Sequence, residues 1–163
     1  RETIMERICT PRLYAEPMTE EELAALAARV RTEDPELAEA YGEMLDGCRK
    51  YPEQYLFYTA WRITARESGE TVGDFCFKGL PADGCPEIGY GILEPFWGRG
   101  YATEIIRAAC LWALTGDGVC AVLAETAPDN AASQRVLAKI GFTPTGEMGE
   151  EGPRYRLETP FAV

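Results

Sequence analysis

Residues 87–105 read "EIGYGILEPFWGRGYATEI", and the order of elements in this stretch decides the fold class. "EIGYGIL" has the make-up of a strand, "EPFWGRG" of a loop, and "YATEIIRAA" opens a helix. The first four N–H groups of a helix lack partners within it and carry partial positive charge. Gly98 and Gly100 let the backbone approach an anion there without an intervening Cβ. Ala102 is small for the same purpose, and Arg99 adds a charge. From the glycines alone, a plain strand-to-helix turn reads equally well.

Two well-known phosphate loops do not match. The Walker pattern requires G-K-[ST], and no lysine stands here. The dinucleotide fingerprint requires a third glycine at position 103, which is Thr103, and no acidic ribose clamp follows.

Outward from this stretch, "TPRLYAEPM" (10–18) predicts a strand limited by prolines. Thr19 and Glu22 form a capping box for a helix whose Leu23, Leu26, Ala27 and Val30 recur at helical spacing. Asp34 and Pro35 start a second helix with the stripe Leu37, Tyr41, Met44, Leu45 and Cys48, stopped by Pro52. "YLFYTAWRITARE" (55–67) and "ETVGDFCFKGL" (70–80) predict two strands around a turn at Ser68-Gly69. The central helix runs to Gly116, "VCAVLAET" (119–126) is a buried strand, and "NAASQRVLAKIG" (130–141) is a helix with Asn130 as cap and Gly141 past its end. "FTPTGEM" (142–148) and "RYRLETPF" (154–161) close as a hairpin across an acidic loop. Helices and strands alternate in the second half, so the chain reads as α/β, a mixed sheet with helices on both faces.

The 163 residues suit one domain, residues 1–163. No apolar stretch approaches the roughly 18–20 residues that span a bilayer, and "RETIMERICT" carries no apolar signal core. Sixteen Lys and Arg against 27 Asp and Glu give −11, which disfavours nucleic acid and anionic membranes and favours a cationic partner such as an amine. The six cysteines (Cys9, Cys48, Cys76, Cys85, Cys110 and Cys120) are dispersed and form no C-x-x-C pair, which suits free thiols in a reducing cytoplasm. There is no His, so the commonest general base and the commonest zinc ligand are both missing, and no metal site is expected.

Two motifs together carry a family resemblance. "WGRGYA" (97–102) stands where the GNAT acetyltransferases have Q/R-x-x-G-x-G/A, with Trp97 in the Gln/Arg position. Asn130, Ser133, Lys139, Gly141 and Phe142 of "NAASQRVLAKIGF" meet that family's second signature. "TPRLYAEPMTEEEL" further resembles the opening of the RimJ/RimL-like branch, which acetylates ribosomal-protein N-termini, with Glu16 where that pattern has Arg. The resemblance implies the GNAT fold, a mostly antiparallel mixed sheet of about seven strands flanked by about four helices. It also implies acetyl-CoA as cosubstrate and a primary amine as acceptor.

Carried over residue by residue, the resemblance places the CoA pyrophosphate on the N–H groups of Gly98, Arg99, Gly100, Tyr101, Ala102 and Thr103. It places the pantetheine arm along the backbones of Ile92 and Leu93, with Asn130 touching it. Gly91 N–H matches the donor to the thioester carbonyl, and Glu87 matches the general base. The tyrosine that many members use as general acid falls at Leu137, so Ser133, one turn into the helix, is the candidate to bond the leaving thiolate.

The residues offer support of their own. Side chains alternate along a strand, so Glu87, Gly89, Gly91 and Leu93 share one face, and its two glycines leave room for a ligand or a bulge. An ammonium must lose a proton before it attacks, and without His a carboxylate is the natural acceptor. Equally, Glu87 reads as a solvated residue at a strand start, Asn130 as a helix cap, and Ser133 as a helix-start hydroxyl bonding backbone. Tyr90, Phe96, Trp97 and Trp112 read as packing residues, Arg135 and Lys139 as basic groups near the motifs. Arg154 and Tyr155 line the acceptor pocket only by fold analogy.

The chain therefore reads as a cytoplasmic N-acetyltransferase, monomer or homodimer, working by direct transfer, since no Cys/His pair supports a covalent route. A non-catalytic acyl-CoA-binding protein of the same fold is the alternative. An interaction module whose glycines only make a turn is the remaining class.

Overall fold

A computed structural model describes residues 6–158. Five strands form one antiparallel sheet in chain order: β1 (Ile8–Cys9), β2 (Leu13–Pro17), β3 (Ala60–Ala65), β4 (Thr71–Cys76) and β5 (Gly89–Ile92). A second sheet holds β6 (Val122–Glu125), β7 (Thr143–Met148) and β8 (Pro153–Leu157) in the order β6-β8-β7, also antiparallel. One parallel bridge, Glu87 to Leu123, joins the sheets, so the mixed character of the whole rests on a single contact among the described residues.

The helices are α1 (Glu20–Val30), α2 (Pro35–Lys50), α3 (Tyr55–Tyr58), α4 (Tyr101–Leu114) and α5 (Ala131–Ile140). The capping box forms as expected, with Glu22 N–H on Thr19 Oγ1 at 3.1 Å and Thr19 N–H on Glu22 Oε1 at 2.9 Å. Asp34 caps α2 and Asn130 caps α5, while Gly141 ends α5 at φ 116°, a left-handed conformation that favours glycine.

Helices cover both faces, as the alternation predicted. On one face α4 and α5 bury Ile105, Ile106, Ala109, Leu137 and Ile140 against Trp61, Ile63, Phe75 and Phe77. Trp61 stacks on Phe75 at 5.5 Å between centroids and meets Trp112 edge-on at 5.1 Å. On the other face α1 and α2 bury Leu23, Tyr41 and Cys48 against Met18 and Ala60.

Several boundaries differ from the sequence expectation; β4, β5 and β6 are shorter than expected at their ends. The short β1 is additional to the predicted strand, and β2 begins at Leu13 rather than residue 10. Residues 55–58 form a turn of helix instead of strand: Pro52 starts a 3₁₀ turn, and Thr59 N–H then bonds Tyr55 O at 3.0 Å. The last strand ends at Leu157, and its expected continuation past Glu158 lies outside the described residues.

Candidate active site

The glycine loop meets the helix as its sequence demands. Gly98 and Gly100 adopt φ of 77° and 79°, and Gly100 is the N-cap of α4. No side chain caps α4, whereas α1, α2 and α5 have Thr19, Asp34 and Asn130. The helix's first backbone bond is Glu104 N–H to Gly100 O at 3.2 Å, which leaves the N–H groups of Tyr101, Ala102 and Thr103 directed out of its end. A Cβ on Gly98 would meet nothing within 4 Å, so the loop's face is open.

Glu104 fixes this helix end. It accepts from Thr10 Oγ1 at 2.6 Å, Arg12 N–H at 2.9 Å and Arg12 Nε at 2.7 Å. Burial pushes its carboxyl up, but these donors outweigh burial and hold it below the usual glutamate range. Arg12 thereby reaches the loop, with Nη2 3.4 Å from where a Gly100 Cβ would stand and its guanidinium 4.7 Å from the Tyr101 ring centroid. Arg99 folds back, Nη2 on Pro95 O at 3.4 Å and its guanidinium 5.4 Å from the Phe96 ring. Trp97 is exposed, and its Nε1 donates to Ile92 O at 2.6 Å.

The strand before the loop has one free edge. Ile88 N–H bonds Leu123 O and Leu123 N–H bonds Pro86 O, both at 2.8 Å. Beyond them β5 and β6 diverge, and no further backbone bond joins them among the described residues. Leu93 N–H faces β4, on Val72 O at 2.8 Å, and the β4–β5 register continues without a shift through Asp74↔Gly91. Alternation then turns the N–H of Gly91 towards β4 and those of Tyr90 and Ile92 towards the gap. Of the two residues assigned to the pantetheine arm, Ile92 presents its backbone to the gap and Leu93 does not. The donors on the open edge are Tyr90 and Ile92, not Gly91.

A cavity of about 270 Å³ occupies the gap, lined by Lys78, Gly89, Tyr90, Glu125, Thr126, Asn130 and Ser133 among others. Tyr90 Oη and Ser133 Oγ lie 2.9 Å apart in its wall. Burial pushes the Tyr90 hydroxyl above its ordinary range, so it stays protonated at neutral pH. Ser133 N–H bonds Asn130 Oδ1 at 3.0 Å, the expected cap. The Thr126 hydroxyl, buried in the same wall, has no hydrogen-bond partner among the described residues. An uncapped helix end, an open strand edge and an unpaired hydroxyl in the wall fit a long ligand that is anionic at one end and amide-bearing along its length.

Glu87 is outside the cavity's lining but pairs with Lys78, which is part of it, and both of its oxygens are engaged. Oε2 accepts from Lys78 Nζ at 2.9 Å and Oε1 from Arg154 Nη2 at 3.3 Å. Burial lowers the Lys78 ammonium, but Glu87 more than offsets it, so Lys78 remains charged. Arg154 also pairs with Glu125, whose Oε2 accepts the Glu151 N–H at 2.6 Å and so ties down the β7–β8 turn. Of the other basic groups, Arg135 and Lys139 are exposed on α5, and Tyr155 packs against the main core.

The sequence reading missed the Tyr90 hydroxyl, the Lys78–Glu87–Arg154 network and Arg12. It also passed over Asp74, which accepts from Tyr41 Oη at 3.1 Å. Asp74 alone left a trace, as a charge inside the apolar run "VGDFCF".

The profile of the Acetyltransferase (GNAT) domain matches residues 12–143. The uncharacterized N-acetyltransferase YoaA of Bacillus subtilis is 31% identical over 102 residues, 62% of this chain and 56% of that protein. The chain thus spans about half the length of the curated relatives it matches. An acetyltransferase from Agrobacterium tumefaciens superposes with a TM-score of 0.72 at 22% identity, covering 98% of this chain and 99% of the other. RimL, a ribosomal L7/L12 α-N-protein acetyltransferase solved with coenzyme A, superposes at 0.73 with 18% identity, covering 95% and 99%. Those likenesses establish a shared fold, and no helix among the described residues is long and apolar enough to cross a membrane. With most of its length inside the profile, and with the loop and splayed strands in place, the chain belongs to the GNAT acetyltransferase family.

Proposed function

We propose that this chain transfers the acetyl group of acetyl-CoA directly to a primary amine. The observation that carries the reading is the uncapped, glycine-opened end of α4 beside the free edge of β5. The N–H groups from Gly98 to Thr103 hold the pyrophosphate, with Arg99 and Arg12 supplying positive charge. Tyr90 and Ile92 offer backbone N–H donors along the pantetheine arm, Tyr90 adds a carbonyl acceptor while that of Ile92 is held by Trp97 Nε1, and Asn130 borders it. Gly91 keeps its floor clear of side chains. One of the two edge N–H groups takes the donor role towards the thioester carbonyl that the family pattern placed at Gly91.

When bound, acetyl-CoA supplies an activated acyl group and a thiol leaving group. The protonated Tyr90 hydroxyl donates to Ser133 Oγ, which leaves the Ser133 hydrogen free to point at the departing sulfur. A free thiol has a pKa near 8.5, so one hydrogen bond is enough help. Glu87 holds Lys78 and Arg154; to act as base it must give up one of them.

The likeness to RimL brings forward a protein N-terminus as one acceptor, and the net charge of −11 favours a cationic one over nucleic acid or an anionic membrane. The six free cysteines suit a cytoplasmic enzyme, one acetyltransferase domain over residues 1–163 acting as monomer or homodimer. The test is calorimetry with CoA, followed by thiol release from acetyl-CoA across peptides, polyamines, amino sugars and amino acids. Binding with turnover on at least one amine is the expected result. No binding at millimolar CoA overturns the reading, and binding without turnover replaces the enzyme by an acyl-CoA-binding protein.

A further inference from the structure

Among the described residues, Asp74 is the one carboxylate facing the floor of β4 and β5 that no cation holds. Its residue pairs opposite Gly91 in the ladder, and Cys76 opposite Gly89. Residues directly opposite place their side chains on the same face about 5 Å apart. The Tyr41 contact from α2 identifies that face as the one away from α4. The space above Gly91 is therefore bordered by the Asp74 carboxylate, and a Cβ on Gly91 would meet nothing within 4 Å. Above Gly89 the situation is opposite, because the Lys78 stem, on its way to Glu87, lies 3.1 Å from where a Gly89 Cβ would stand.

The charges nearby are all accounted for. Arg62, opposite Asp74 on β3, sends its guanidinium to Glu22 of α1 at 2.9 Å. Tyr41 of α2 is the one hydrogen-bond partner of Asp74 among the described residues, and Arg29 of α1 adds positive charge on the Tyr41 side. Cys76 lies next along β4, and burial pushes its thiol up, so it stays neutral. Asp74 is only partly covered from solvent, so a small group can reach it.

Resting on the acetyltransferase reading above, we propose that Asp74 is the residue that binds the acceptor ammonium and takes its proton, with Tyr41 as its positioning residue. The acceptor class follows: a primary ammonium whose attached group extends from the floor at Gly91 towards solvent. The step balances. Asp74 accepts one proton from R–NH₃⁺, and the freed nitrogen lone pair forms the C–N bond to the acetyl carbon. The C–S bond breaks, the sulfur takes the second proton from nitrogen through Ser133, and Asp74 returns its proton to water.

Burial raises the Asp74 carboxyl above the usual aspartate range while the Tyr41 bond pulls it back. The activity is thus expected to rise with pH through the Asp74 titration. Tyr41→Phe removes the bond that favours the anion and moves this rise to higher pH. Asp74→Asn keeps shape and the Tyr41 contact but abolishes the rise. The experiment measures CoA affinity by calorimetry, binding of spermidine, glucosamine and a seryl dipeptide to the CoA-saturated protein, and the pH profile of kcat/KM. Expected are unchanged CoA affinity in all variants, at least tenfold weaker amine binding and at least 100-fold lower kcat/KM in Asp74→Asn, and a shifted profile in Tyr41→Phe. An Asp74→Asn protein that matches the parent in amine binding and pH profile overturns the proposal. So does a larger loss in Glu87→Gln than in Asp74→Asn, or failure of all three amines to bind the CoA complex. Failure of the parent protein to bind CoA instead overturns the acetyltransferase reading.

Discussion

Two glycines allow the loop's role to be separated from its backbone strain. Gly98 (φ 77°) lies in the proposed pyrophosphate cradle and Gly69 (φ 76°) in the β3–β4 turn, and a Cβ added to either meets nothing within 4 Å. Gly98→Ala and Gly69→Ala therefore impose the same left-handed alanine in the same empty surroundings. Each should cost about 1–2 kcal/mol of stability, the penalty of that region for a residue with a Cβ. Only Gly98→Ala strains N–H groups of the proposed pyrophosphate cradle. A hydrogen bond to a charged group is worth about 1.5–3 kcal/mol, so misaligning one lowers CoA affinity by roughly ten- to 100-fold, at about 1.4 kcal/mol per factor of ten. Urea unfolding should give matched midpoints for the two variants. Calorimetry with CoA should give parent-like affinity for Gly69→Ala and the tenfold or greater loss for Gly98→Ala. Equal CoA affinity in all three proteins, or an equal loss in both variants, would refute the cradle.

Three further outcomes follow from the contacts. Glu104→Gln should lower stability at neutral pH by about 1 kcal/mol, allowing for solvent screening. Because the folded carboxyl is held below its unfolded value, that stabilisation is complete above about pH 4.3 and is lost as pH falls through the folded value, so thermal unfolding of parent and variant should converge in acid. Trp61→Ala empties the aromatic centre shared with Phe75 and Trp112 and should cost about 3–5 kcal/mol in urea unfolding. A thiol reagent should label exposed Cys9 and Cys120 first and reach Cys48, whose thiol burial pushes up to about 11, and Cys110 only on unfolding.

Most of the fold was legible because the signals were local. The Thr19–Glu22 box, the Asp34 and Asn130 caps and the Gly141 stop each join residues within four positions. One exception in element type, helix at 55–58 where strand was expected, is an apolar run whose period cannot distinguish the two over so short a span. The loop from Gly98 to Thr103 was legible for the same local reason: left-handed glycines and an uncapped helix end are properties of neighbouring residues.

By itself, then, the sequence determined most of the elements, their two-faced arrangement and the glycine-opened end of α4. Tertiary structure decided which side chains have free chemistry. Tyr90 became a protonated hydroxyl in the wall because packing buries it, and Ser133, 43 residues away, meets it at 2.9 Å. Glu87 became the centre of an ion-pair network because Arg154, 67 residues away, and Lys78 converge on it. Asp74 was left without a cation because Glu22 draws Arg62 away. Whether a carboxylate is engaged or available is a property of its neighbours in space, and those neighbours are set by sheet register and helix packing, which no local pattern encodes.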